Sequence, residues 1–140
     1  MPIAINGSGT ITGISVGGIP DGVVDTDVLA ANAVTTPKLG TDEASGLCKA
    51  WVDFDGTGTV AIYESYNISS ITDNGTGQYA ANFTTAMVDA DYATVLTPGT
   101  ISRVCSCSKG LSTASSVDVR SVNLSGVYTD VSSIKVAVFR

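Results

Sequence analysis

The aromatic residues of this 140-residue chain are confined to its C-terminal part. Residues 1–47 contain no Trp, Tyr or Phe, whereas residues 48–140 contain every one of them. Aromatic side chains supply much of the buried area of a compact domain. Residues 1–47 also carry five acidic side chains and a single basic one, Lys38. This division predicts a compact domain over residues 48–140, preceded by an N-terminal segment (residues 1–47) that has no core of its own.

The apolar residues of the C-terminal part have the spacing of β-strands. Ala50, Val52 and Phe54 alternate with Trp51 and Asp53, and successive side chains of a strand point to opposite faces. The same two-residue spacing recurs in Tyr79, Ala81 and Phe83, in Ala93 and Val95, in Val117 and Val119, and in Ile134, Val136 and Val138. Gly-containing turn signals separate these runs. About six to eight short strands predict an all-β fold, either a β-sandwich or a small barrel.

A ten-residue repeat runs through the N-terminal segment, and each copy places one apolar residue five positions before another. The three pairs are Ile14 and Ile19, Val24 and Leu29, and Val34 and Leu39. A five-residue step follows neither one face of a helix nor one face of a strand. It suits a chain that advances by short turns. If three such chains were arranged around a common axis, they would bury these apolar residues against one another. Two interpretations stay open, an oligomeric stalk or a loose acidic linker with chance apolar spacing.

One short helix is predicted within this segment. Asp25 or Thr26 would cap its start, and Thr36 precedes Pro37, which disfavours continuation. A helix of about ten residues is marginal in isolation. Packing against partner chains would therefore have to stabilise it.

The charge and composition of the chain exclude several classes of function. Seven basic and thirteen acidic residues give a net charge of -6. Because nucleic-acid binding relies on basic residues that neutralise phosphates, no nucleic-acid partner is predicted. The chain has no His, which removes His-dependent catalytic pairs and His-ligated zinc sites. No apolar run approaches the ~20 residues that span a bilayer and no signal peptide is recognisable, so membrane insertion is not predicted and synthesis in a reducing cytoplasm is expected.

The three cysteines are predicted to be small buried residues. They are Cys48, Cys105 and Cys107. An odd number argues against a complete disulfide framework.

A candidate calcium loop lies at the start of the compact domain. Asp53, Asp55, Thr57 and Glu64, with Gly58 between them, nearly match the spacing of ligands in such a loop. Thr57, however, stands where a carboxylate or amide is usual, and the flanking residues have the composition of strands. The favoured interpretation is a glycine-rich hairpin with solvated aspartates, and no metal or cofactor is predicted.

Two further groups of residues are candidates for chemistry on sugars. Asp89 and Asp91 are candidate paired carboxylates for glycoside hydrolysis, but residues 87–92 have the composition of a turn, so solvated loop acids are favoured and no enzymatic activity is predicted. A tyrosine ring presents an apolar face and a polar tip that suit stacking on a sugar. The candidates are Tyr63, Tyr66, Tyr79, Tyr92 and Tyr128.

Seven stretches of the sequence have a recognisable pattern. Three lie in the N-terminal segment, at residues 4–11, 13–18 and 25–35, and four lie in the compact domain, at residues 49–54, 56–62, 69–77 and 82–87. The first three resemble the start of many tail fibres of tailed phages, and the other four resemble a module common in phage and prophage fibres. The chain thus resembles the short tail-fibre and tail-tip proteins of tailed phages, in particular those of cyanophage type. The resemblance covers roughly residues 1–95 and contains no catalytic motif.

The resemblance implies a trimeric structural protein of the virion, located on the tail and made in the host cytoplasm. Residues 1–47 would attach the chain to a tail or baseplate protein and form the homotrimer. Residues 48–140 would project, with a host surface glycan as the candidate ligand. Because the N-terminal segment is short, a compact tip fibre or an adaptor fits better than a long fibre. The alternative is a monomeric lectin-like carbohydrate-binding module.

Overall fold

The computed structural model describes residues 31, 33–35, 38 and 46–140. Five of the predicted stalk residues, Ile14, Ile19, Val24, Leu29 and Leu39, lie outside the described residues. The sixth, Val34, is 53% exposed. Residues 33–35 are not helical, and most of the predicted helix also lies outside the described residues. The stalk, its helix and the domain boundary after residue 47 therefore stay predictions.

The chain divides into two units, residues 1–40 and 41–140, and all the described strands belong to the second unit. The strands are β1 (Cys48–Asp55), β2 (Ala61–Tyr66), β3 (Ile68–Asp73), β4 (Gln78–Phe83), β5 (Ala93–Pro98), β6 (Arg103–Ser106), β7 (Ser116–Asn123) and β8 (Ile134–Phe139). They form two four-stranded antiparallel sheets, with strand order β2-β1-β8-β5 in sheet A and β3-β4-β7-β6 in sheet B. The prediction of an all-β fold is confirmed, and the architecture is a sandwich. Within the described residues, no helix is long and apolar enough to cross a membrane.

The alternating apolar residues of β1, β4, β7 and β8 form the core between the two sheets. Phe54 of sheet A and Tyr79 of sheet B are both fully buried, and their rings meet edge to face with centroids 5.3 Å apart. Burying each side chain of this size stabilises the fold by roughly 1.5–3 kcal/mol. The core therefore joins the sheets rigidly and leaves their outer faces to solvent.

A single residue, Asn67, carries the chain from sheet A to sheet B between β2 and β3. Its φ angle is 55°, a left-handed conformation that Asn tolerates better than most residues. The Asn67 side chain fixes this corner, because Nδ2 donates to Lys49 O and Thr85 O at 3.1 Å each, and Oδ1 accepts from Thr85 N at 2.7 Å.

Ala93 and Val95 share one face of β5, as their spacing predicts, but that face is the outer face of sheet A. Val95 is 58% exposed, and Ala93 is exposed as well. The opposite face of β5 packs against the core through the partly buried Leu96.

Candidate binding surface

The outer face of sheet A carries an apolar row that crosses all four strands. Tyr66 of β2 lies opposite Trp51 of β1, Trp51 lies opposite Ala137 of β8, and Ala137 lies opposite Val95 of β5. Trp51 is 37% exposed and Tyr66 is 57% exposed. Aromatic and β-branched residues favour strands, and their alternation with core residues directs these side chains outward. An indole and a phenol thus lie side by side on a surface that solvent reaches.

A polar row lies next to the apolar row, two residues further along each strand. Its members, in the same strand order, are Glu64, Asp53, Lys135 and Thr97. All members of the two rows except Tyr66 line a groove of about 410 Å³. The surface therefore offers an apolar strip and a hydrogen-bonding strip in parallel.

The two acids of the polar row have different surroundings. Lys135 Nζ lies 2.8 Å from Asp53 Oδ2, and Ser133 Oγ donates to Asp53 Oδ1 at 2.8 Å. Glu64 is exposed and, among the residues that the structure describes, has no hydrogen-bond or ion-pair partner. Asp53 is therefore held in place, whereas the Glu64 carboxylate is free to accept hydrogen bonds from a ligand.

A second depression, of about 650 Å³, lies on the other side of Tyr66. Its lining includes Lys49, Met87 and Arg140. Arg140 pairs with Asp89 through Nη2 and Oδ2, so its charge is already compensated. Tyr66 thus stands between a mixed polar and apolar groove and this second depression.

The four candidate calcium ligands, Asp53, Asp55, Thr57 and Glu64, are not gathered around one point in the described structure. Thr57 donates to Asp55 Oδ1 through its backbone N at 2.8 Å and through its hydroxyl at 2.6 Å. These bonds lower the pKa of the Asp55 carboxyl. Within residues 46–140 and the other described positions, no three acidic, Cys or His side chains are close enough to hold a metal ion. The segment is a glycine-rich hairpin, in which Asp55 orders the turn and Asp53 and Glu64 belong to the polar row.

Asp89 and Asp91 each have a cationic partner. Asp89 accepts from Asp91 N at 2.8 Å and pairs with Arg140, and these hydrogen bonds hold its pKa below the ordinary value. Asp91 lies 2.7 Å from Lys109 Nζ. A glycosidase needs one carboxyl group whose pKa is raised so that it can donate a proton. Asp89 has the opposite perturbation, which argues against a general-acid role for it.

The five candidate tyrosines have very different environments. Tyr79 is fully buried, and the Tyr92 hydroxyl lies within hydrogen-bond distance of the backbone carbonyls of Thr113 and Ser116, at 3.0 and 2.8 Å. Tyr63 is 57% exposed, but its hydroxyl reaches Asp55 Oδ2 at 3.1 Å and Ser132 O at 3.0 Å. Tyr66 and Tyr128 are exposed as well, but the Tyr128 hydroxyl accepts from Arg120, so among the described residues only Tyr66 is exposed with no partner for its hydroxyl.

The outer face of sheet B carries a polar cluster that the sequence did not single out. Arg120 Nε lies 3.0 Å from Oδ2 of the nearly buried Asp118, and Nη1 donates to Gln78 Oε1 at 2.8 Å and to the Tyr128 hydroxyl at 3.0 Å. Its Cζ lies 5.7 Å from the centre of the Tyr128 ring. These groups satisfy one another, so the cluster stabilises the sheet rather than presenting an open site.

The prediction of buried cysteines is wrong for Cys107. Cys48 and Cys105 are partly buried, whereas Cys107 is exposed, and all three are free thiols. Cys107 follows the end of β6, and its Sγ lies 2.8 Å from Thr94 Oγ1. Because the strand ends at Ser106, the alternation that buries Cys105 no longer applies to Cys107.

No family model, no curated protein and no solved structure matches this chain. The interpretation of the outer face of sheet A therefore depends on the geometry of the chain itself.

Proposed function

We propose that this chain is a short trimeric tail fibre of a tailed phage, a structural protein of the virion that contributes to contact with the host surface. Residues 1–47 attach it to a tail or baseplate protein and hold three copies together. The β-sandwich projects from that attachment and binds without catalysing a reaction. The support for the virion role is the sequence resemblance over residues 1–95 together with the apolar repeat from Ile14 to Leu39.

The structural observation that carries the binding role is the pair of rows on sheet A. Large exposed apolar patches on soluble domains mark interaction sites, and here Trp51 and Tyr66 lie beside Asp53 and Glu64 on one rigid face. Strands hold their side chains more firmly than loops do, so this surface needs little ordering when a ligand binds. Three copies on one fibre would raise the avidity of a weak site by ~10²–10⁴.

The surface also supports the alternative of a monomeric lectin-like module. All members of both rows come from one chain, so a single copy already presents the complete surface. The number of chains in the native protein separates this alternative from the trimeric fibre.

The binding role is tested by passing the full-length chain over immobilised lipopolysaccharides and capsular polysaccharides from a panel of bacteria. Release of reducing ends is measured in parallel. We expect saturable binding to a subset of the panel and no release of reducing ends. Release of reducing ends would show an enzyme, and a failure to bind any surface polysaccharide would contradict a role in host contact.

A further inference from the structure

We propose that the apolar and polar rows of sheet A form a binding site for an uncharged hexopyranose chain. This inference rests on the proposed contact with the host surface and specifies the site and the ligand chemistry. The chain of sugars would lie across the strands, with ring faces on Trp51 and Tyr66 and hydroxyl groups over Glu64 and Lys135.

The spacing of the two rows suits a pyranose ring. Neighbouring strands are about 4.8 Å apart, so the apolar row extends about 14 Å across the four strands. Residues two apart on a strand are separated by about 7 Å, which is the distance between the rows. A pyranose has an apolar face of C–H groups and an equatorial edge of hydroxyls. A ring stacked on the apolar row therefore brings one edge of hydroxyls over the polar row.

The polar row supplies both kinds of hydrogen-bonding group that a sugar needs. The Glu64 carboxylate accepts hydrogen bonds and has no partner among the described residues. Lys135 Nζ donates to Ser133 Oγ at 2.7 Å and pairs with Asp53, and an ammonium group has three donors. Lys135 thus keeps a donor for a sugar oxygen while its position is held by Asp53 and Ser133.

A sugar fits this surface better than a second copy of the chain does. The cores of protein interfaces are depleted of Asp, Glu and Lys, but these three residue types line the groove as Asp53, Glu64 and Lys135. Covering the unpaired Glu64 with an apolar protein surface would leave a desolvated charge, which is costly. A ligand rich in hydroxyl groups provides donors to that carboxylate instead.

The charge of the surface points to an uncharged sugar. The chain has a net charge of -6, and the free carboxylate of Glu64 lies where a sugar carboxylate or phosphate would have to approach. Charged groups of like sign at an interface reduce both association rate and affinity. Uronate and phosphate sugars are therefore expected to bind more weakly than neutral ones.

Trp51 makes the test direct, because it is the only Trp in the chain. The full-length chain is titrated with cellohexaose, maltohexaose, laminarihexaose, mannohexaose and hexagalacturonate. Trp fluorescence and its quenching by acrylamide are recorded. We expect at least one neutral hexasaccharide to shift the emission and protect Trp51 from acrylamide, and hexagalacturonate to do so more weakly at low salt.

Three variants locate the site. Tyr66→Ala is expected to weaken binding by about tenfold or more, because it removes one of the two aromatic rings on which the sugar would stack. Glu64→Gln is expected to weaken it by about three- to tenfold, because hydrogen bonds to a charged acceptor are stronger than those to an amide. Tyr63→Ala removes a tyrosine of the same exposed fraction, 57%, that belongs to neither row of sheet A, and is expected to leave binding unchanged.

The experiments distinguish a failure of the sugar site from a failure of the proposed trimeric fibre. The inference is overturned if no neutral hexasaccharide changes the emission of Trp51 or its quenching by acrylamide. It is also overturned if the Tyr66→Ala variant binds the sugars with the affinity of the unchanged protein. If dilution of the protein alone exposes Trp51 to acrylamide, the surface is an interface between copies, which also overturns it. If the sugars bind as expected but the full-length chain is a monomer, the site stands and the trimeric fibre is wrong.

Discussion

Glu64 and Asp53 lie directly opposite each other on β2 and β1, and of the two only Asp53 has a cationic partner in the described structure, Lys135 at 2.8 Å. Like charges directly opposite on neighbouring strands are destabilising. Glu64 is therefore an acidic residue on the outer face of sheet A that is not expected to stabilise the fold. A residue that costs stability is a candidate for function.

The Glu64→Gln variant is expected to be at least as stable as the unchanged protein, with a gain of up to about 0.5 kcal/mol. The gain is small because Glu64 is exposed to solvent. Urea denaturation measures it as a shift in midpoint at constant slope. A loss of stability beyond about 0.5 kcal/mol would mean that Glu64 serves the fold, and would remove this argument for a binding role.

The buried Tyr79 hydroxyl predicts a loss of stability at alkaline pH. It lies 2.7 Å from Asp130 Oδ1 and 2.8 Å from Gly56 O, and burial, followed by the bond to Asp130, raises its pKa above the ordinary 10.0. As the pH rises, the unfolded chain loses the Tyr79 proton first. The stabilisation is therefore fully present below about pH 10 and is lost as the pH rises through the folded-state pKa.

Urea denaturation of Tyr79→Phe between about pH 9 and 12 tests this, because the variant lacks the titrating group. At pH 9 the free energy of unfolding of this variant is expected to be about 1–3 kcal/mol lower than that of the unchanged protein. It is also expected to fall less steeply as the pH rises than that of the unchanged protein does. Tyr66→Phe is the control, since the exposed Tyr66 hydroxyl has no partner among the described residues. Equal slopes for Tyr79→Phe and Tyr66→Phe would contradict the assignment.

Gly77 and Gly58 have nearly the same backbone conformation but different surroundings. Substituting each with Ala therefore distinguishes the stability lost through steric contact from the stability lost through backbone strain. Gly77 has φ +64° and Gly58 has φ +60°. A Cβ at Gly77 would collide with Ser121 O and with Thr129 N, the latter at 2.7 Å, whereas a Cβ at Gly58 would meet nothing within 4 Å. Gly58→Ala is expected to cost about 1 kcal/mol, and Gly77→Ala about 2–4 kcal/mol. Similar losses in thermal or urea unfolding would show that Gly77 is not tightly packed.

The Arg120–Asp118 pair on sheet B is expected to contribute far more to the stability of the fold than an exposed ion pair does. Arg120→Met leaves the nearly buried Asp118 without its cation and should cost about 1–3 kcal/mol. Adding Asp118→Asn should recover part of that loss, because the uncompensated charge is then gone. Lys109→Met breaks the exposed pair with Asp91 and should change stability by less than about 0.5 kcal/mol. A loss for Arg120→Met as small as that for Lys109→Met would contradict the structural role.

The strands with clear alternation were predictable from the sequence, and two others were not. The runs that begin at Ala50, Tyr79 and Ile134 fall in β1, β4 and β8, and the glycines of the turn signals fall between strands. The strands β3 and β6 lie at the edges of sheet B. β3 is mostly polar and β6 has only four residues, so neither shows the alternation by which a half-buried strand is recognised.

The candidate surface was not predictable, because its residues meet only through the order of the strands. Positions 51, 66, 95 and 137 form one row only when the order is β2-β1-β8-β5, and the alternation of residues does not reveal that order. The sequence also gave no basis for ranking the five tyrosines. Burial separates them in the structure, since Tyr79 lies in the core and Tyr66 lies on the outer face of sheet A.

The native mass of the full-length chain, measured by light scattering over a range of concentrations, tests the proposed trimeric fibre most directly. We expect a stable mass of three chains. We also expect that Val24→Asp with Leu29→Asp, which places charges in the apolar repeat, reduces the mass to one chain. A concentration-independent mass of one chain for the unchanged protein would contradict the self-assembling stalk and favour the monomeric lectin-like module.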